Sequence, residues 1–255
     1  MTAIRKTAMT YQPYQIIGEE RPARWLITCD HASNFVPDFV NGGDLGLPPE
    51  DMERHIAYDV GAAGVSTALG ALLDAPVILS GFSRLVIDPN RGEDDPTLLM
   101  KLYDGSIIPA NRQAGPEERE RRLARCYRPY HAALARLAAR RDDTILVAVH
   151  SFTPRLNGHG MRPWHIGILH AEQDTRLALP LLARLRQETD LCAGENEPYG
   201  GHLPGDSVDR HALKPGRPNA LIEIRNDLIR TEEQQHAWAE RLAPILTEVL
   251  ESTGI

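Results

Sequence analysis

The chain has 255 residues, with 28 Lys and Arg against 35 Asp and Glu, a formal net charge of −7. Hydrophobic residues make up 42% and charged residues 25%, a globular balance that excludes disorder, collagen and coiled coil as the main description. The acidic balance counts against a nucleic-acid partner, which needs a basic face.

In chain order, Met1–Gln15 carries Arg5 and Lys6 but lacks the apolar stretch of a secretory leader. Trp25–Cys29 reads as a buried strand ending at Asp30. Val60–Leu73 reads as a helix, because Val60, Val65, Leu69, Leu72 and Leu73 recur every three to four residues and Asp59 suits an N-cap. Pro76–Ser80 is a second strand and Arg84–Ile87 a third, stopped at Asp88-Pro89. Glu120–Arg141 is an amphipathic helix that Pro129 must kink or divide, since proline removes a backbone donor and clashes with the preceding turn. Thr144–Val149 has the strongest strand pattern, an unbroken apolar and β-branched run. Trp164–Leu169 is another strand, Arg176–Thr189 a helix, Ala220–Ile224 the last strand and Glu232–Leu250 the closing helix.

Apolar strands separated by helical segments predict an α/β fold, a mixed, mostly parallel sheet between helices, in one domain spanning residues 1–255. Cys29, Cys126 and Cys192 are scattered and form no CxxC pair, and no apolar run approaches the ~20 residues of a membrane span. The expectation is a cytoplasmic protein with no membrane partner. Pro89–Pro116 and Cys192–Pro218 are long, Gly- and Pro-rich stretches of the kind that form binding loops.

The reactive side chains fall at strand ends. His31 follows the first strand, His150 and Ser151 follow the Thr144–Val149 run, and Glu223 and Arg225 lie in or just after the last strand. Sites in open α/β sheets form beyond the carboxyl ends of strands, so His31 and His150 are expected to converge there, where imidazole nitrogens suit zinc. Glu223 interrupts an apolar strand, and a carboxylate so placed is either paired, with Arg225 as a candidate, or functional. Its functional reading is a general base beside a metal. Arg84 and Arg91 flank the Asp88-Pro89-Asn90 turn, and an arginine fork holds a carboxylate through two parallel hydrogen bonds. P-loop, GxGxxG and GxSxG patterns are absent, and Cys29, inside an apolar strand, reads as core.

The segments CDHASNFVP (Cys29–Pro37), HIAYDVGA (His55–Ala62), SRLVIDPNR (Ser83–Arg91), VAVHSFTP (Val147–Pro154), VDRHA (Val208–Ala212) and LIEIRNDLI (Leu221–Ile229) resemble the N-formylglutamate amidohydrolase family over most of the chain. More distantly, the order His31, Asn90-Arg91, His150-Ser151, Glu223 is similar to that of the zinc carboxypeptidases, which implies a zinc-carboxypeptidase-like (phosphorylase/hydrolase-like) fold with zinc at strand ends. The resemblance implies Zn2+, or another divalent metal, held by His31 and His150. The carboxypeptidase His-x-x-Glu pattern reads here His31-Ala32-Ser33-Asn34, so Asn34 is a weak ligand, or another group such as Asp59 completes the shell, or zinc affinity is low. It also implies that Asn90 and Arg91 grip the carboxylate beside the scissile amide. Arg84 is placed to stabilise the oxyanion, and the loop Asn196–His202 offers Tyr199 and His202 as donors. Asp209 and His211 are either orienting groups or a local turn pair.

The function expected is metal-dependent hydrolysis of an N-acyl amino acid, first choice N-formyl-L-glutamate to formate and L-glutamate. The alternatives are a carboxypeptidase or other N-acyl amino acid deacylase on the same site, and a non-catalytic small-molecule binding protein with a degenerate metal site. The partner is a small molecule, and the sequence leaves the oligomeric state open.

Overall fold

A computed structural model describes residues 11–255; the first ten residues of the segment read for a leader lie outside them. The strands are β1 (Tyr14–Ile17), β2 (Trp25–Cys29), β3 (Val77–Ser80), β4 (Leu102–Tyr103), β5 (Ser106–Ile107), β6 (Ile145–Phe152), β7 (Ile166–Leu169), β8 (Ala193–Glu195) and β9 (Asn219–Arg225). The α-helices are α1 (Pro49–Met52), α2 (Ala62–Leu72), α3 (Pro109–Arg112), α4 (Pro116–Arg122), α5 (Arg128–Ala138), α6 (Ala178–Leu185) and α7 (Glu232–Thr253). Seven strands form one sheet in the order β1-β3-β2-β6-β9-β7-β8, and β4 and β5 form a separate hairpin. The central strands β3, β2, β6 and β9 are parallel. β1 is antiparallel on one edge, and β7 is antiparallel to β9 and parallel to β8. This is the expected mixed, mostly parallel sheet with helices on both faces.

Side chains alternate across a strand, and each face has its own core. Ile145, Val147 and Val149 of β6 and Ala220, Ile222 and Ile224 of β9 enter the core that also holds residues of α2, α6 and α7. Leu146, Ala148 and Leu221 enter the opposite core, with residues of α5 and the segment around Phe82–Ile87. Two residues beyond Ala148 and Leu221, the same alternation brings up His150 and Glu223. The β6–β9 register pairs their Cα atoms directly. His150 therefore lies inside a strand longer than its apolar run.

The expected strand at Arg84–Ile87 is instead a buried turn. Leu85, Val86 and Ile87 are fully buried, so the apolar run signals burial correctly, but no ladder forms. Val86 N donates to Ser83 O at 2.8 Å and Arg84 N to Ala57 O at 3.2 Å. Asn111 Nδ2 donates to Leu85 O at 2.7 Å and Arg122 Nη1 to Val86 O at 2.8 Å. Side chains from the next helices satisfy the buried carbonyls that a neighbouring strand would otherwise serve. The Glu120–Arg141 segment divides, as Pro129 requires: a π-helical turn, Leu123–Tyr127, separates α4 from α5, and Pro129 falls in the first turn of α5.

Asp59 is not the N-cap of α2. That position is Gly61, at φ 82° and without a side-chain cap, while Asp59 turns its carboxylate toward the histidines. A Cβ at Gly61 would lie 2.1 Å from Ile229 O, in a left-handed conformation that side chains disfavour. Gly61→Ala is expected to cost about 2–4 kcal/mol, strain and overpacking together. Urea unfolding measures it, and an unchanged midpoint would disprove the close approach.

Candidate active site

The end of β2, the carboxyl-terminal halves of β6 and β9, and two loops build the site. β2 delivers Asp30 and His31, β6 delivers His150, and β9 delivers Glu223. Asp59 comes from the loop before α2 and is fixed by its own amide, which donates to His31 O at 2.9 Å. Its Oδ2 lies 3.3 Å from His31 Nδ1 and 2.8 Å from His150 Nδ1, and accepts from Ser151 N at 3.2 Å. Each imidazole faces a second acid on its other nitrogen: His31 Nε2 is 2.7 Å from Asp88 Oδ1, and His150 Nε2 is 3.4 Å from Asp30 Oδ2. Asp30 accepts from the Tyr130 hydroxyl, and Asp88 Oδ2 accepts from Arg84 Nε at 3.2 Å and Nη2 at 2.8 Å. Arg84 Nη1 faces Asp59 Oδ1 at 3.6 Å.

His31, Asp59 and His150 each offer one ligand atom, and these atoms lie within 4.8 Å of one another. The Asp88 carboxylate at His31 Nε2 favours the tautomer that leaves the His31 Nδ1 lone pair for the cluster, the usual outer shell of a metal-binding histidine, and Asp30 stands near His150 Nε2 without a hydrogen bond to it. Asp30, Asp59, Asp88 and Glu223 are all buried here, against Arg84 as the permanently charged cation among them. Two imidazoles, one carboxylate and a surplus of buried negative charge suit a divalent cation.

Burial works to raise the Asp59 carboxyl, but His31 and His150 outweigh it and hold the group far below the usual range. Burial also dominates at Glu223. There it wins, pushing the carboxyl up against the opposing pull of His150 and Arg84. Among the described residues Glu223 Oε2 has no hydrogen-bond partner. Arg225 is not its counter-ion, because that guanidinium pairs with Asp227 at 2.8 Å.

A cavity of about 380 Å³ opens onto the cluster, lined by His31, Arg84, Asn90, Arg91, His150, Tyr199, His202 and Glu223. Asn34 is not among them and corrects the expectation that named it. Its Nδ2 donates to Met52 O at 3.0 Å and to Glu53 Oε1 at 3.1 Å, and the chain after His31 is drawn off by Ala32 N donating to Ser80 Oγ at 3.0 Å. Asp59 is the group that stands beside the two histidines.

Asn90 is positioned by its amide donating to Asp88 Oδ1 at 2.9 Å and by its Oδ1 accepting from Ser207 N at 3.3 Å. Arg91 donates to Asn90 O at 2.7 Å and Thr97 Oγ1 at 3.2 Å, and makes no ion pair among the described residues. Tyr199 Oη accepts from Arg162 Nη1 at 3.1 Å, and His202 Nε2 is 3.3 Å from Asp209 Oδ1. The loop that carries Tyr199 crosses β7 at Gly167, where a Cβ would meet Glu197 O at 1.8 Å.

Tyr103 of the hairpin also lines the cavity, with the Arg84 guanidinium 5.5 Å from its ring centre. His55 lines it too, its Nε2 3.6 Å from Asp104. His170 lines a separate depression, and His211 pairs with buried His131 at 2.9 Å. Asp30 and Asp88 escaped the sequence reading as functional residues. The available signal was an acid closing an apolar run, which reads equally well as a strand stop.

A sequence profile of the N-formylglutamate amidohydrolase family matches residues 23–230. The chain belongs to the N-formylglutamate amidohydrolase family. As a member of it, the protein is an amidohydrolase, an enzyme acting on a small substrate, which sets aside the non-catalytic alternative. It is 26% identical over 243 residues to an N-formylglutamate deformylase of Pseudomonas putida, covering 86% of each chain. It is 28% identical over 204 residues to one of Pseudomonas aeruginosa, covering 71% of this chain and 75% of that protein. A solved gene product of Agrobacterium tumefaciens superposes with a TM-score of 0.89 at 33% identity, covering 95% of this chain and 96% of the other. An N-formylglutamate amidohydrolase from Ralstonia eutropha JMP134 superposes with a TM-score of 0.69 at 22% identity over 95% of this chain and 99% of that one, and shares the fold. Among the described residues no helix is long and apolar enough to cross a membrane.

Proposed function

We propose that this amidohydrolase is metal-dependent and hydrolyses the amide bond of an N-acyl amino acid. N-formyl-L-glutamate, cleaved to formate and L-glutamate, is the reference substrate because it is the one in the names of the Pseudomonas relatives. The observation that carries the reading is one cavity holding the His31–Asp59–His150 cluster, an unpartnered Glu223 oxygen and the ion-pair-free Arg91. His31 Nδ1, His150 Nδ1 and Asp59 would hold zinc. Bound there, zinc supplies a Lewis acid that polarises the amide carbonyl and acidifies water.

Glu223 takes a proton from the attacking water and returns it to the amide nitrogen as the C–N bond breaks, leaving a carboxylic acid and an amine. Burial, which raises the carboxyl, favours the second step, the return of the proton to the leaving nitrogen. Arg84 is anchored through Nε and Nη2 on Asp88, and its Nη1, which faces Asp59 Oδ1 at 3.6 Å without a hydrogen bond to it, serves the oxyanion. Asn90 and Arg91 bind the substrate α-carboxylate, and Tyr199 and His202 close over it from the glycine-containing loop.

Formate release from N-formyl amino acids by the zinc-loaded protein tests the reaction, and no release from any of them would defeat it. Arg91→Lys keeps the charge and loses the planar fork, so KM for the free acid is expected to rise at least ~10-fold, with little change for the matching α-carboxamide. Equal effects on both substrates would show that Arg91 does not read that carboxylate.

A further inference from the structure

Two donors in the cavity lining, His55 and Tyr103, take no role in the amide chemistry and have no partner in the protein. The His55 side chain is 10% exposed, and neither of its ring nitrogens makes a hydrogen bond among the described residues; Nε2 is enclosed, with Asp104 Oδ2 standing off at 3.6 Å. The Tyr103 ring centre lies 5.5 Å from the Arg84 guanidinium and 6.1 Å from the His55 ring, but its hydroxyl makes no hydrogen bond among the described residues. Buried polar groups are normally satisfied, so unpartnered donors around a cavity point to an acceptor brought by the ligand.

Both donors are held from outside the cavity. Tyr103 ends β4, and Asp104 and Gly105 turn the hairpin at φ 42° and 87°, the left-handed pair of a two-residue turn. Arg54, the residue before His55, donates from Nη2 to Asp104 Oδ2 at 2.6 Å, while Asn157 donates to Asp104 Oδ1 at 3.1 Å and to Asp104 O at 3.0 Å. One ion pair thus ties the His55 segment to the Tyr103 hairpin without engaging either donor. Asn90 and Arg91 belong to a different part of the lining, fastened by Asp88, Ser207 and Thr97. Asp206 also lines the cavity, at 6% exposure, and its neighbour Ser207 places it beside Asn90. A second substrate carboxylate is disfavoured beside that acid, whereas at His55 it meets the guanidiniums of Arg54 and Arg84.

We propose that His55 and Tyr103 bind a carboxylate at the end of the substrate side chain, and so select an N-acyl derivative of an acidic amino acid over that of its neutral amide. The inference rests on the deacylase reading above and names the residues that read its amino acid. Tyr103 donates its hydroxyl, and His55 donates from Nδ1, with Asp104 on the other side of the ring. Burial, with Arg54 and Arg84, holds the imidazole below its usual range against the pull of Asp104 and Asp59. A substrate carboxylate at Nδ1 adds to that pull and favours the imidazolium, whose hydrogen bond is then charge-assisted at both ends. A side-chain amide lacks the charge and forgoes that gain.

Calorimetric titration of the zinc-loaded protein with the N-methanesulfonyl derivatives of L-glutamate, L-glutamine and L-alanine tests the assignment. All three carry a sulfonamide that does not hydrolyse. The glutamate derivative is expected to bind the wild type at least ~10-fold tighter than the glutamine derivative. Tyr103→Phe removes a hydroxyl that holds nothing in the protein, and His55→Phe keeps an aromatic ring against Tyr103. Each should lower the glutamate-to-glutamine ratio at least ~3-fold, while binding of the alanine derivative stays within ~3-fold of the wild type. Equal binding of glutamate and glutamine derivatives by the wild type, or an unchanged ratio in either variant that folds, would overturn the assignment. A merely structural role gives that second outcome, since all three ligands then weaken together. Absence of formate release from every N-formyl amino acid would count against the deacylase reading alone, because the preference is read from binding without turnover.

Discussion

Glu223→Gln is expected to lower kcat by ~10²–10⁴-fold, the span of a lost general base, while zinc content and the unfolding midpoint stay near those of the wild type. The amide has the same shape but cannot accept the proton. It replaces a buried carboxyl whose Oε2 has no partner and whose ionisation burial already opposes. A carboxyl raised in the folded state costs stability as pH rises above its unfolded value, so the neutral amide should not destabilise the protein. Formate release, elemental analysis and thermal unfolding on one preparation separate the three quantities. A kcat within threefold of the wild type would make Glu223 a structural residue.

Asp59→Asn is expected to weaken zinc binding by at least ~100-fold and to abolish activity at stoichiometric metal. The variant keeps the volume and an oxygen for Ser151 N, but removes the charge that His31 Nδ1 and His150 Nδ1 share. Arg84 also loses one of its two acids. Asn34→Ala is the matched control. Its amide serves Met52 O and Glu53, so zinc content should not change. Competition with a chelator of known affinity gives both values. Retention of tight zinc by Asp59→Asn, with loss in Asn34→Ala, would reverse the choice of third ligand.

Several features of the site were legible in the sequence because each rests on local periodicity. The unbroken apolar runs of β2, β6 and β9 mark buried strands, and a period of two carried past Ala148 and Leu221 brings His150 and Glu223 to one face. The same reading misjudged Arg84–Ile87, since an apolar run reports burial and not hydrogen-bond partners. There the partners are Asn111 and Arg122, more than twenty residues away.

Local patterning was enough for the alternation of strands and helices, for the strands that bring up His31, His150 and Glu223 at or toward their carboxyl ends, and for the turn that carries Asn90 and Arg91. Tertiary structure alone decided that Asp59 and not Asn34 stands beside the histidines, that Asp88 and Asp30 back them, and that Asp206 enters the cavity. Each of these acids lies in a loop or at a strand's edge, where no repeat directs the side chain. Its direction is set by contacts with elements distant in sequence: Gly61 against Ile229, His31 against Asp88, and Ser207 against Asn90.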